Sequence, residues 1–239
     1  MAMQPFGPAE KMQEAAGKLI QYFAEQARPL VFTGLEKGFA DVLACYPAAS
    51  FTIESDRDNF DYVYLAEHLI SLSGRKLHSK KNHLNAFHKA NPQAQYLPIT
   101  ADIIPACRME LESWYALRIQ DEPDDPFIGW ERKAIMEIFD DYSYFGLQGG
   151  AILLDGRIIA FTFGEQLNEN TAVVHVEKAD PNIRGAYPAI NQAYVSSCWQ
   201  DMMYINREED MGHDGLRKAK ESYKPEKLIE KFNAQLIES

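Results

Sequence analysis

The chain has 239 residues, 46% of them hydrophobic and 12% aromatic, which is ample for a packed core and excludes a disordered chain. Its 24 basic and 35 acidic residues give a net charge of −11, which argues against duplex nucleic-acid binding but leaves room for one local phosphate site. No window reaches the length of an apolar membrane span, and the three widely spaced cysteines form neither a CxxC pair nor a metal cluster, so a cytoplasmic, metal-free protein with cysteines in its core is expected.

Apolar residues at three- and four-residue spacing, from Met12 to Ala24, predict a helix over 9–28 that ends before Pro29. A short strand, 30–34, leads to a second helix, 35–45. Two strands, 50–54 and 60–65, and a connecting helix, 66–72, complete an opening unit. A cationic island follows. No acidic residue lies between Glu67 and Asp102, whereas Arg75, Lys76, Lys80, Lys81 and Lys89 do, with His78, His83 and His88. Such an island in an anionic chain fits an anionic partner or a solvated helix face. On the predicted helix, 75–90, Leu77, Leu84 and Phe87 share one arc, and Lys80 falls within it. Lys80 then either snorkels to water or projects into a polar cleft.

A second run begins with a strand, 95–100, and two helices, 103–121 and about 130–143, separated by the turn-rich Asp-Glu-Pro-Asp-Asp-Pro stretch. Strands 145–154 and 157–165, joined by Asp155-Gly156, carry a strong hairpin signal. Strand 171–178 runs into Arg184-Gly185-Ala186 and a helix to about 200, an arrangement that offers backbone N–H groups to phosphate. A strand at 203–206, a helix at 215–222 and one or two strands within 225–237 close the chain. His175, inside an apolar strand, is expected to be a hydrogen-bonded core residue.

Two charged groups stand out besides the glycine turn. Glu177, near the end of its strand, could accept a proton from an amine nucleophile or could pair with Lys178 or Arg184. Around the strand at 203–206, Arg207, Glu208, Glu209, Asp210 and His213 crowd together, followed by Arg217, Lys218, Lys220, Tyr223 and Lys224. That density suits an anionic ligand, or a set of salt bridges in which Arg207 and Lys218 pair with Glu208, Glu209 and Asp210. No GxSxG, HExxH, P-loop or dinucleotide fingerprint is present.

The order of elements from residue 95 onward resembles the GNAT acyltransferase fold. The segments SGRKLHSKKNHLNAF, VEKADPNIRGAYPAINQ and YINREEDMGHDGLRKAKESYKP are similar to a family of double-GNAT proteins, namely the C-terminal domain of phosphatidylglycerol lysyltransferase, related to the Fem-type peptidyltransferases. The resemblance implies an α/β (α+β) protein of tandem GNAT-like domains, with mixed, mostly antiparallel sheets flanked by helices. The expected division is a partial first domain at 1–72, a basic inter-domain helix at 73–94 and a complete domain at 95–239.

It also implies an acyl- or aminoacyltransferase that draws on aminoacyl-tRNA or acyl-coenzyme A, with no tightly bound cofactor and an amine or hydroxyl acceptor. The alternative is a non-catalytic module that binds an anionic ligand such as a tRNA acceptor end. Under the transfer reading, Glu177 or Glu208 assists deprotonation. Arg184, Gly185 and Ala186 form the donor phosphate loop, and Arg217, Lys218 and Lys220 match the family's basic segment. His78, Lys80, Lys81 and Asn82 line the cleft from the basic helix, with Asn191, Asn206, Arg207 and Tyr223 opposite. The lysyltransferases' long membrane-spanning region has no counterpart here, which weighs against a lipid acceptor, and the single Gly185 weighs against coenzyme A.

Overall fold

The computed structural model describes residues 1–121 and 126–237. In chain order the elements are β1 (Ala2–Met3), α1 (Met12–Glu25), β2 (Val31–Glu36), α2 (Lys37–Ala44), β3 (Phe51–Ser55), β4 (Asp61–Leu65), α3 (Ala66–Ser71), α4 (His78–Ala90) and β5 (Gln95–Pro98). Then come α5 (Ile104–Asp121), α6 (Pro126–Asp140), α7 (Tyr142–Phe145), β6 (Gln148–Leu154), β7 (Arg157–Asn168), β8 (Thr171–Ala179), α8 (Ala186–Cys198), β9 (Tyr204–Asn206), α9 (Asp214–Glu221), β10 (Lys227–Ile229) and β11 (Lys231–Leu236). Most of the turn expected between α5 and α6 lies outside the described residues.

The chain forms two compact units, one of residues 1–62, 208–220 and 227–239, the other of residues 63–207 and 221–226. This division differs from the one expected from the sequence. The basic helix belongs to the larger unit, and the C-terminal strand returns to the smaller one.

The smaller unit has a four-stranded sheet in the order β1-β2-β11-β3. β11 runs antiparallel to both β2 and β3, so the last strand of the chain completes a sheet begun by the first residues. Phe32, Leu35, Phe39 and Leu43 pack with Ala16 and Ala234 as its core. α9 opens with Asp214 and carries Lys218 and Lys220 in its last turn, an order of charge that a helix dipole favours.

In the larger unit, β4, β9, β8, β7, β6 and β5 lie side by side in that order. All neighbouring pairs are antiparallel except β8 with β9. At the hairpin of β6 and β7, Asp155 and Gly156 take φ of +50° and +81°, the left-handed pair that a tight two-residue turn requires. β8 carries apolar residues on both faces because helices cover both. Val176, Phe161 and Phe163 pack toward Leu111, Tyr115, Ile135 and Phe139 of α5 and α6. Ile159, Ala160 and Ala179 pack toward Phe87 of α4 and Ala186, Ala189 and Ile190 of α8.

α4 docks through Phe87, while His78, Lys81, Asn82 and Lys89 face water. Gly185 caps α8 at φ +84°, and a Cβ there would stand 2.5 Å from the His83 carbonyl oxygen and 3.0 Å from Phe87 Cβ. Glycine is therefore required both by conformation and by the close approach of α4. Gly185→Ala is expected to cost about 2–4 kcal/mol, from left-handed strain and overpacking together. Urea unfolding with an unchanged m-value would read it.

The cysteines diverge from the core expectation. Cys107 is buried, Cys198 is partly exposed and Cys45 lies at the surface. His175 is partly exposed too and meets Glu165 at 3.2 Å, so it is hydrogen-bonded but not a core residue. Among the described residues no helix is long and apolar enough to cross a membrane, and no group of His, Cys, Asp or Glu is placed to hold a metal ion.

Candidate active site

β8 and β9 are neighbours only at one end. Thr171, Ala172 and Val173 align with Tyr204, Ile205 and Asn206, after which β9 stops and β8 continues to Ala179. Beyond Val173 no ladder with β9 continues among the described residues. This leaves an opening at the edge of β8 in a sheet that is otherwise continuous.

Charge gathers at that opening. Arg207, the first residue after β9, donates from Nη2 to Glu177 Oε1 on β8 at 2.9 Å. Asn191 of α8 donates from Nδ2 to Glu177 Oε2 at 2.8 Å. Both carboxylate oxygens are thus engaged, and both side chains of the ion pair are largely buried. The Arg207 guanidinium lies over the rings of Tyr223, at 4.9 Å, and Tyr64, at 5.6 Å. Lys80 reaches the same place from α4, with Nζ 4.3 Å from the centre of the Tyr223 ring.

Burial weighs most against the Arg207 charge, but Glu177, Tyr64 and Tyr223 together outweigh it and hold the guanidinium above its ordinary pKa. Lys80 goes the other way. Burial, and then the like charge of Arg207, push its pKa down, and Glu177 offsets part of this. Burial also raises the Tyr223 hydroxyl, which keeps it neutral. Asn191 is 1% exposed, and its Oδ1 has no hydrogen-bond partner among the described residues.

The partner of Glu177 is therefore Arg207 rather than Lys178 or Arg184. Strand alternation sends Lys178 to the opposite face of β8. There it bonds both oxygens of Glu131, at 2.8 and 2.9 Å, and sits 3.8 Å over the Trp114 ring. Tyr115 donates to the same Glu131, and Trp114 donates to the Tyr187 hydroxyl. Burial lowers the pKa of Lys178 against the pull of Glu131. The sequence reading missed this box, although the alternation of Glu177 and Lys178 carried its signal.

The other candidates are distributed as follows. Arg184 is exposed. Ala186 is buried, with its N–H bonded to the Ile183 carbonyl, and α4 covers Gly185, so this turn offers fewer free N–H groups than its sequence promises. His78 and Asn82 are exposed and 3.2 Å from one another, and Lys81 reaches the Ser71 carbonyl. Asn206 is buried at the end of β9. Glu208, at φ +54°, belongs to the smaller unit with Arg217, Lys218 and Lys220.

In that unit Asp210, which is 0% exposed, is the hub. It accepts from Tyr62 Oη at 2.5 Å, Arg57 at 3.2 Å, Arg217 Nε and Nη2 at 2.9 and 2.7 Å, and the Gly212 N–H at 3.0 Å. Arg217 also bonds Asp58, and Lys220 donates to the Glu209 carbonyl. Asp210 thus pairs with Arg57 and Arg217, not with Arg207 or Lys218. Two of the three basic residues matched to the family segment are committed to these internal partners, and Lys218 is exposed.

The family described as phosphatidylglycerol lysyltransferase, C-terminal, matches residues 1–235. A crystal structure of a conserved protein of unknown function from Bacteroides thetaiotaomicron is 36% identical, with a TM-score of 0.88, and the match covers 98% of this chain and 78% of that one. An uncharacterized protein of Mycoplasmoides gallisepticum is 27% identical over 180 residues, 74% of this chain and 56% of that protein, so the match spans little more than half of its length. The structure of L-PGS from Bacillus licheniformis shares the fold at 12% identity and a TM-score of 0.68, over 98% of this chain and 76% of that one. The architecture is of the tandem-GNAT type.

Proposed function

We propose, from the premise that the chain belongs to the phosphatidylglycerol lysyltransferase C-terminal family, that it is a transferase and that the opening beside β8 is its reaction site. The observation that carries this reading is the buried Glu177–Arg207–Asn191 cluster at the point where β8 and β9 part. The reaction is transfer of an aminoacyl or acyl group from a phosphate-rich carrier, an aminoacyl-tRNA or an acyl-coenzyme A, to an amine or hydroxyl acceptor.

In the amine case the acceptor nitrogen attacks the carbonyl carbon of the donor ester. The bond from that carbon to the carrier's oxygen, or to its sulfur in the coenzyme A thioester, breaks, and the proton leaving nitrogen ends on that atom. No enzymatic nucleophile is needed, because positioning supplies much of the rate. Backbone N–H groups along the open edge of β8 would face the developing oxyanion. A carboxylate has about four lone-pair sites, so Glu177, while holding Arg207 and Asn191, can still accept from an incoming amine. Arg207 has its plane set by Glu177 and by the rings of Tyr64 and Tyr223, and it supplies fixed positive charge.

Glu177→Gln keeps the shape of the side chain and removes its charge. It is expected to lower kcat about 100-fold or more, with little effect on donor KM. Donor turnover with a saturating amine acceptor reads this, and unchanged turnover removes Glu177 from the reaction. Thermal stabilisation by charged and uncharged tRNA alike, with no carrier released, would instead identify a binding module.

A further inference from the structure

Two cations share the Tyr223 ring. Lys80 Nζ lies 4.3 Å from its centre and the Arg207 guanidinium carbon 4.9 Å. Glu177 serves this set, and its two oxygens accept from Arg207 and Asn191. The Lys80 ammonium has no hydrogen bond and no carboxylate within ion-pair distance among the described residues. An ammonium drawn into a partly buried place beside another cation, with an aromatic face as its company, is an arrangement that repels itself.

A solvated lysine would escape this. Lys76 and Lys81, on the same run of sequence, remain exposed, whereas Lys80 projects from the face of α4 that carries Leu84 and Phe87 into the core. Its pKa is displaced in the sense that this crowding requires. The charge is held where a mobile counter-ion, not a residue of the chain, can complete it.

We infer that Lys80 and Arg207, which share the Tyr223 ring, form a binding subsite for a compact oxyanion, a phosphate or a carboxylate. The subsite lies in the cluster assigned to transfer and so rests on that reading for its role, but binding there needs no turnover. Its place also differs from the turn at Gly185, where the His83 carbonyl and Phe87 of α4 lie close to the glycine. Oxyanion recognition in the larger unit is thereby assigned to side chains rather than to a helix terminus.

The test measures thermal stability and isothermal titration heats of the full chain with inorganic phosphate, and separately with acetate, against chloride at equal ionic strength. Wild type is expected to bind at least one of the two saturably, and the stronger of them identifies the source as phosphate or carboxylate. Lys80→Gln should weaken binding about tenfold or more, as expected for loss of one charge-assisted contact. Glu177→Gln should strengthen it, because it removes the competing anion, an outcome that a merely structural role for Lys80 would not produce. Lys76→Gln, at an exposed position four residues away on the same segment, should change nothing.

No saturable binding by wild type, or an equal loss in Lys76→Gln and Lys80→Gln, overturns the subsite. Because binding is read without a donor, a failed transfer assay leaves the subsite standing, and a failed binding assay leaves transfer standing.

Discussion

Asp210→Ala is expected to destabilise the smaller unit by about 3–5 kcal/mol, the cost of removing one partner from a buried charge network. Asp210 has no exposed surface and is the carboxylate on which Arg57, Tyr62, Arg217 and the Gly212 N–H converge. Without it, two guanidinium groups keep each other's company, and a phenol loses its acceptor. Burial opposes the Asp210 charge, but the bonds from Arg217 and Tyr62 win and hold the carboxyl well below its ordinary range.

The sign follows from that direction. A carboxyl depressed on folding stabilises above its unfolded pKa of about 3.9, and the contribution fades as the pH falls below that range. Chemical unfolding at pH 7 and at pH 3 should therefore show a smaller gap between Asp210→Ala and wild type at the lower pH. A gap below about 1 kcal/mol at pH 7 would mean that the network relaxes around the missing group.

Glu110→Gln should do the opposite, and with the opposite pH dependence. Glu110 is 3% exposed on α5, and burial pushes its carboxyl up to about 7, with Arg157 pulling it down and Asp180 pushing it up. Arg157 bonds Glu110 at 3.3 Å and Asp180 at 2.7 Å, so one arginine serves two acids. A carboxyl raised on folding binds its proton more tightly in the native state. Its contribution to stability is therefore fully present below about pH 4.5 and is lost as the pH rises through about 7, by about 3 kcal/mol in all. The glutamine cannot ionise, so it should match wild type near pH 5 and exceed it by up to about 3 kcal/mol at pH 8. Parallel stability curves across that range would show that Glu110 stays ionised throughout.

Much of the architecture was readable from local signals. Asp155-Gly156 marked its hairpin because left-handed φ has few residue solutions. The strand-to-helix order around Gly185 marked the acyltransferase-like unit. The place of β11 was not readable. Residues 231–236 look like any short strand, and their insertion between β2 and β3 depends on a sheet edge left open some 180 residues earlier.

The site was half legible for the same reason. Lys80 betrayed itself by falling in the apolar arc of α4, a matter of helical period. The Arg207–Glu177 pair did not, because nothing local tells which of several acids an arginine meets. The stopping point of β9 decides it. Gly185 taught the converse lesson. A glycine at a strand-to-helix turn reads as room for phosphate, whereas here it also admits the close approach of the His83 carbonyl and Phe87.

Loss of the aminoacyl ester from a charged tRNA, measured with wild type and with Arg207→Gln in the presence of an amine acceptor, tests the transfer reading most directly, with acetyl-coenzyme A as the parallel donor. Wild type should release free carrier from one of the two and form acylated acceptor in equal amount, and Arg207→Gln should slow this about 100-fold or more, as loss of preorganised charge at a reacting carbonyl does. Carrier release by neither donor, or release at the same rate in both proteins, would contradict transfer at the opening beside β8.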